Sequence, residues 1–138
     1  METRVERPEG APDVAVLSLE GELDASNFEE VIETGRSLYA GGTRRLVLDL
    51  SGLRYMGSSG LVALHSLAVL LRGEEPPDPE YGWSAFHSIG QSGSGNGAPQ
   101  NAVKVAGPQP QVDRVLDRTG LKRFFEVYPD RAAALASF

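Results

Sequence analysis

Two apolar runs set the limits on what this chain can become. RLVLDL at residues 45–50 and LVALHSLAVLL at residues 61–71 are separated only by SGLRYMGSSG. The first is apolar except at Arg45 and Asp49, a pattern that suits a central strand covered on both faces. The second is long enough for about three helical turns. It is apolar most of the way round, so it belongs inside a core. Interrupted by His65 and Ser66, it is too short to span a bilayer.

The flanking segments supply partners for both runs. VAVLSL, residues 14–19, reads as a second strand, with a short edge strand from Arg4 to Glu6 before it, joined through PEGAP. After GELD (Gly21 to Asp24), Ser26 is placed to cap a helix, with Glu29 completing a capping box. Phe28, Val31, Ile32, Gly35, Leu38 and Tyr39 give that helix one apolar face, and Gly41 and Gly42 end it. Further on, AVKVAG (102–107) predicts a strand. PQVDRVLDRTGL predicts a helix with Val112, Val115, Leu116 and Leu121 on one face and Gly120 as its stop. Phe124 to Tyr128 reads as a strand, and Asp130 caps a terminal helix through Leu135. The expected fold is α/β: a sandwich in one domain, 1–138, with a mixed β-sheet covered by about four helices. A long inserted loop, 73–101, rich in Pro, Gly and Ser, precedes the penultimate strand and reads as flexible. Its aromatics, Tyr81, Trp83 and Phe86, suit either packing or a partner.

Composition removes several classes of function. A net charge of −6 disfavours direct nucleic-acid binding, which usually shows a basic patch. With no Cys there is no disulfide framework, thiolate nucleophile or cysteine metal site. The charged start, METRVERPEG, lacks the apolar stretch of a signal peptide, and a cytoplasmic protein without a membrane span is expected. The carboxylates are scattered and the two histidines, His65 and His87, unpaired, so no metal and no cofactor is expected.

The segment Gly57-Ser58-Ser59-Gly60 is open to more than one reading. As strand-to-helix turn and cap chemistry it needs no further role. As a nucleophile elbow it fails, because G-x-S-x-G requires a different spacing and His65 lies roughly 10 Å along the helix from Ser58. Gly93, Gly95 and Gly97 likewise form no phosphate loop. As a phosphorylation site it is physically sound, because an anion at a helix start is favoured by about 0.3–1 kcal/mol.

Taken in order, LEGELDASNFEEV, RRLVLDLSGLRYMGSSGLVAL and VAGPQPQVDRVLDRTGLKRFFEVYPDRAAAL resemble the STAS domain, in particular that of bacterial anti-sigma factor antagonists. The resemblance implies a protein that is not an enzyme. In its unphosphorylated form such a protein binds an anti-sigma factor of GHKL-type ATPase fold and frees a sigma factor. The anti-sigma factor, acting as a serine kinase, phosphorylates it and breaks the complex; a serine phosphatase restores it. Carried onto this sequence, the phosphoacceptor is Ser58. The partner surface comprises Asp24, Gly57, Ser58, Ser59, Gly60 and Val62, with His65 as a further contact or simply a solvated or satisfied helix histidine. Two departures stand out: Gly57 occupies a position where the family usually has Asp, and the 73–101 loop replaces a short turn. Similar domains also serve as accessory subunits of lipid-transport systems or as small-molecule and nucleotide sensors.

Overall fold

The computed structural model describes residues 1–74 and 100–138. Five strands form one sheet whose spatial order is the order of the chain: β1 (Glu2–Glu6), β2 (Val14–Leu23), β3 (Arg45–Met56), β4 (Gln100–Ala106) and β5 (Phe125–Tyr128). β1 runs antiparallel to β2 and the other pairs are parallel. Each parallel step needs a crossover. Among the described residues these contain α1 (Phe28–Ala40), α2 (Ser58–Leu71) and α3 (Pro110–Arg118), and a terminal helix α4 (Arg131–Ala136) follows β5. The expected mixed sheet with four helices is the observed fold.

Side-chain alternation along the strands sorts the core into two layers. Ala15, Leu17 and Leu19 of β2 and Leu46, Leu48 and Leu50 of β3 point into the large layer shared with α1, α2 and α3. Val16, Val47 and Ala106 point the other way, against Ala134 of α4. β3 is therefore covered on both faces, as its unbroken apolar run requires. Local stop signals also act as read. Gly120 takes a left-handed φ of +81° after α3, and Asp130 caps α4 by accepting from the Ala133 N–H at 2.8 Å.

Several boundaries differ from the sequence reading. Ser26 does not cap α1, and the capping box with Glu29 does not form. Asn27 stands at the N-cap without a side-chain cap bond, and the Ser26 hydroxyl donates to Asp24 Oδ1 at 2.6 Å. The polar side chains close the preceding turn in place of the helix end. Asp24 N–H donates to Asn27 Oδ1 at 3.0 Å, and Asn27 Nδ2 donates to the Glu22 carbonyl at 2.9 Å. The expected boundary at 101 falls too late, because Gln100 and Asn101 already belong to β4. The Gln100 side chain fixes that start by accepting from the N–H groups of Ala102 and Val103. Tyr81, Trp83, Phe86, His87 and the Gly93–Gly97 stretch lie outside the described residues.

The sheet face under α4 carries polar groups that no sequence pattern announced. Arg131 donates to Asp49 Oδ2 through Nε and Nη2 at 2.9 and 2.7 Å, to Ser18 Oγ at 3.0 Å and to Glu6 Oε2 at 2.6 Å. One guanidinium thus ties α4 to β1, β2 and β3. Lys104, only 4% exposed, donates to the Ser137 carbonyl and hydroxyl at 3.1 and 2.7 Å, and its ammonium lies 4.5 Å from the Phe138 ring centre.

Burial alone would raise the Asp49 pKa, but hydrogen bonds from Ser51 and Arg131 outweigh it and hold the carboxyl below its ordinary 3.8. A depressed folded-state pKa adds stability that is fully present above the unfolded value and lost as pH falls through the folded one. Asp49→Asn should cost roughly 1–2 kcal/mol at neutral pH, because Arg131 is partly open to solvent and loses a charged acceptor. It should also flatten stability against pH below about 4. Urea unfolding of both proteins between pH 2.5 and 7 checks this; parallel profiles would contradict it.

Candidate functional site

The site is built where β2 and β3 end side by side. Their parallel register pairs Leu23 with Met56, and the Gly57 N–H donates to the Leu23 carbonyl at 2.9 Å. That bond fastens the GELD turn to the start of α2, bringing Asp24 and the serine pair to one end of the sheet. Beyond Asp49↔Ala106, β3 has no register partner on β4. Two glutamines near the start of α3 serve the bare edge. Gln109 Nε2 donates to the Ser51 carbonyl at 2.7 Å, and Gln111 Oε1 accepts from the Met56 N–H at 3.1 Å. Side-chain hydrogen bonds thereby support the end of β3 up to the residue before Gly57.

The helix starts earlier than its apolar run suggests, at Ser58, with Gly57 as its extended N-cap (φ −86°, ψ −177°). The serines therefore do not act as caps. Gly57 has no side chain to offer, and neither serine hydroxyl has a hydrogen-bond partner among the described residues. Ser58 is exposed and Ser59 half-buried. Gly60 is buried because it must be: a Cβ there would run into Met56 Cγ and come within 3.1 Å of Leu23. Bare backbone at this point lets the first turn of α2 sit directly on the ends of both strands.

The other expected contacts divide. Asp24 lies at the rim, its carboxyl held below the ordinary range by hydrogen bonds from the Ser26 side chain and then its backbone N–H. Val62, only 8% exposed, is turned inward and offers a partner little surface. His65 packs on Phe124, with ring centres 5.9 Å apart, and burial followed by the nearby Arg72 lowers its pKa. It is a packed helix histidine. Sequence reasoning passed over Tyr55, which is 45% exposed beside Gly57; the signal was an aromatic two residues before the turn.

Charge and topology indicate what such an end can do. Glu20, Glu22, Glu29 and Glu30 are exposed at the end of β2 and the first turn of α1, forming an acidic rim with Asp24. Among the described residues the strand order runs from β1 to β5 without a reversal. Among the described residues no group of three or more His, Asp or Glu is placed to hold a metal ion, and no helix is long and apolar enough to cross a membrane. At this end the exposed Ser58 hydroxyl has no hydrogen-bond partner among the described residues.

The family model described as "Mlab, STAS domain" matches residues 7–76, just over half of the chain. The chain belongs to the STAS domain family. None of the curated proteins matches it. Among solved structures, this STAS domain is similar to an anti-sigma factor antagonist from Mycobacterium paratuberculosis. The two are 23% identical with a TM-score of 0.68, over 99% of this chain and 92% of that one. It is also similar to the anti-sigma factor antagonist SpoIIAA in its unphosphorylated form, at 18% identity and a TM-score of 0.63, over 99% and 95% of the two chains. The Bacillus cell fate determinant SpoIIAA in its phosphorylated form gives 15% and 0.57, over 99% and 100%. At these identities the likeness establishes the fold: this STAS domain has the architecture of the solved anti-sigma factor antagonists.

Proposed function

We propose that this STAS domain is an anti-sigma factor antagonist working by partner switching among cytoplasmic proteins. Unphosphorylated, it binds a GHKL-type ATPase that restrains a sigma factor, and it lets go when that ATPase phosphorylates Ser58. The observation that carries the reading is the exposed hydroxyl of Ser58, without a hydrogen-bond partner among the described residues, on the first residue of α2 and beside the Asp24 turn, which the Gly57–Leu23 bond fastens to it. SpoIIAA, of the same fold, has been solved in both an unphosphorylated and a phosphorylated form.

In this scheme the chain is substrate and ligand. Ser58 Oγ attacks the γ-phosphorus of ATP held by the kinase. The Oγ–P bond forms, the bond to the bridging oxygen breaks, ADP leaves, and the hydroxyl proton passes to a base on the kinase. A metal-dependent serine phosphatase reverses the modification with water, releasing inorganic phosphate. A phosphate on the first helical residue is favoured by the unpaired N–H groups there. Phosphorylation thus leaves α2 intact, and the loss of affinity arises at the contact itself. Added bulk and a charge of roughly −1.5 to −2 occupy the centre of the surface.

Gly57 is compatible with this scheme. Its backbone conformation is open to any residue, so a carboxylate is absent here by sequence rather than by steric demand. Affinity purification of the tagged chain from its host, followed by mass spectrometry, tests the assignment. A GHKL-type ATPase as the main co-purifying protein is the expected result. Membrane-transport subunits in its place would overturn the assignment and make this domain a transport accessory.

A further inference from the structure

The Tyr55 side chain lies in a place that its exposure does not require. Its Oη, Cε1 and Cζ atoms stand 3.3, 3.5 and 3.8 Å from the position a Cβ would take on Gly57. The phenol is therefore folded back toward the backbone of the residue bonded to Ser58, and a Cβ on Gly57 would meet the phenol oxygen first. The phenol hydroxyl has no hydrogen-bond partner among the described residues. It can donate, whereas Glu22, its register partner on β2, and Asp24 of the GELD turn are acceptors.

We propose that the Tyr55 hydroxyl is the donor that holds a phosphate on Ser58, one phosphate oxygen accepting its O–H. This rests on the reading of Ser58 as the phosphoacceptor and adds a residue that responds to the modification. In the unmodified protein the ring is an exposed aromatic beside a free serine. Tyr is a residue type that often anchors interfaces. In the phosphorylated protein the same hydroxyl is engaged internally and the ring is held where it already lies, over the turn. One modification would then add a dianion to the surface and fix in place an aromatic that a partner could otherwise reorient. Tyr55 is thus a positioning residue for the phosphoserine.

The test installs phosphoserine at position 58 during translation, so its outcome does not depend on any kinase. The second ionisation of the phosphate is followed by 31P NMR in the full chain with Tyr55 and with Tyr55→Phe, which keeps the ring. A hydrogen bond to an ionised acceptor favours the dianion, so the acid constant should be on the order of threefold larger with Tyr55 than with Phe. Glu22, which pairs with Tyr55 across β2 and β3, acts equally in both chains, as do Asp24 and Arg54, and their effects cancel in the comparison. Coincident titrations would overturn the proposal. Failure of the host kinase to modify Ser58 would instead overturn the reading it rests on.

Discussion

Ser58→Ala should bind the GHKL-type partner as tightly as the unmodified chain and stay bound in the presence of ATP, whereas Ser58→Asp should bind about a hundredfold more weakly. The magnitude follows from what the surface must lose. A hundredfold change corresponds to about 2.7 kcal/mol. A single desolvated charge without a partner supplies that much. Ser58 is exposed and makes no hydrogen bond among the described residues, so Ala removes nothing the fold uses. Asp carries one charge where phosphate carries nearly two, making its effect a lower bound for the phosphorylated protein. Melting curves of both variants should match that of the parent or lie slightly above it, since neither substitution touches the core and an anion at the helix start is mildly stabilising. Calorimetric titration of each against the purified partner, with and without ATP, checks the prediction. Equal affinities would contradict a surface switch at this residue.

The second large effect is on stability and separates two glycines three residues apart. Gly60→Val should destabilise the domain by about 2–3 kcal/mol, in the upper range for overpacking, and lower Tm by roughly 5–10 °C. The added carbons meet Met56 and Leu23, both fully buried at the strand ends, so the first turn of α2 must lift off the sheet. Gain in helix propensity over Gly, at most about 1 kcal/mol, does not offset this. Gly57→Ala should be nearly neutral, because its Cβ meets only the exposed and movable Tyr55 ring, 3.3 Å from its hydroxyl. Thermal unfolding of the two variants side by side decides the matter. Equal Tm values would show that the tight seat of Gly60 has no energetic weight.

What could be read from the sequence was local in origin. The order of strands and helices follows from apolar spacing in VAVLSL, RLVLDL and the α1 face, each interpretable within one window. Gly120 and Asp130 were legible for the same reason, since a left-handed stop and an N-cap act on residues within one turn. Ser26 misled because three neighbouring polar side chains compete for the same backbone groups. Asn27 and Asp24 bridge the turn, leaving the Ser26 hydroxyl to the Asp24 carboxylate. No windowed pattern reveals the Arg131–Asp49 pair, 82 residues apart, or Gln111 meeting Met56 across 55. Lys104, read only as part of a strand, is buried because Ser137 and Phe138 close over it from the end of the chain.

The candidate site was partly legible in the same sense. Asp24 and Ser58 are neighbours because β2 and β3 are adjacent parallel strands that end together, and the expected α/β order already implied such a pairing. The inward turn of Val62 and the packing of His65 on Phe124 depend on how α2 is rotated about its axis. A helix apolar nearly all round carries no periodic signal for that rotation. The foldback of Tyr55 over Gly57 depends on a side-chain rotamer at the end of a strand, beyond the reach of spacing or composition.

The central claim is that Ser58 accepts phosphate from the partner that this surface binds. Its most direct test is to incubate the purified chain with the co-purified ATPase, ATP and magnesium, and to map phosphate by fragmentation mass spectrometry. Phosphate on Ser58, absent from the Ser58→Ala chain and accompanied by dissociation of the complex, is the predicted result. A stable complex that hydrolyses ATP without modifying Ser58, or that places phosphate on Ser59 alone, would contradict it.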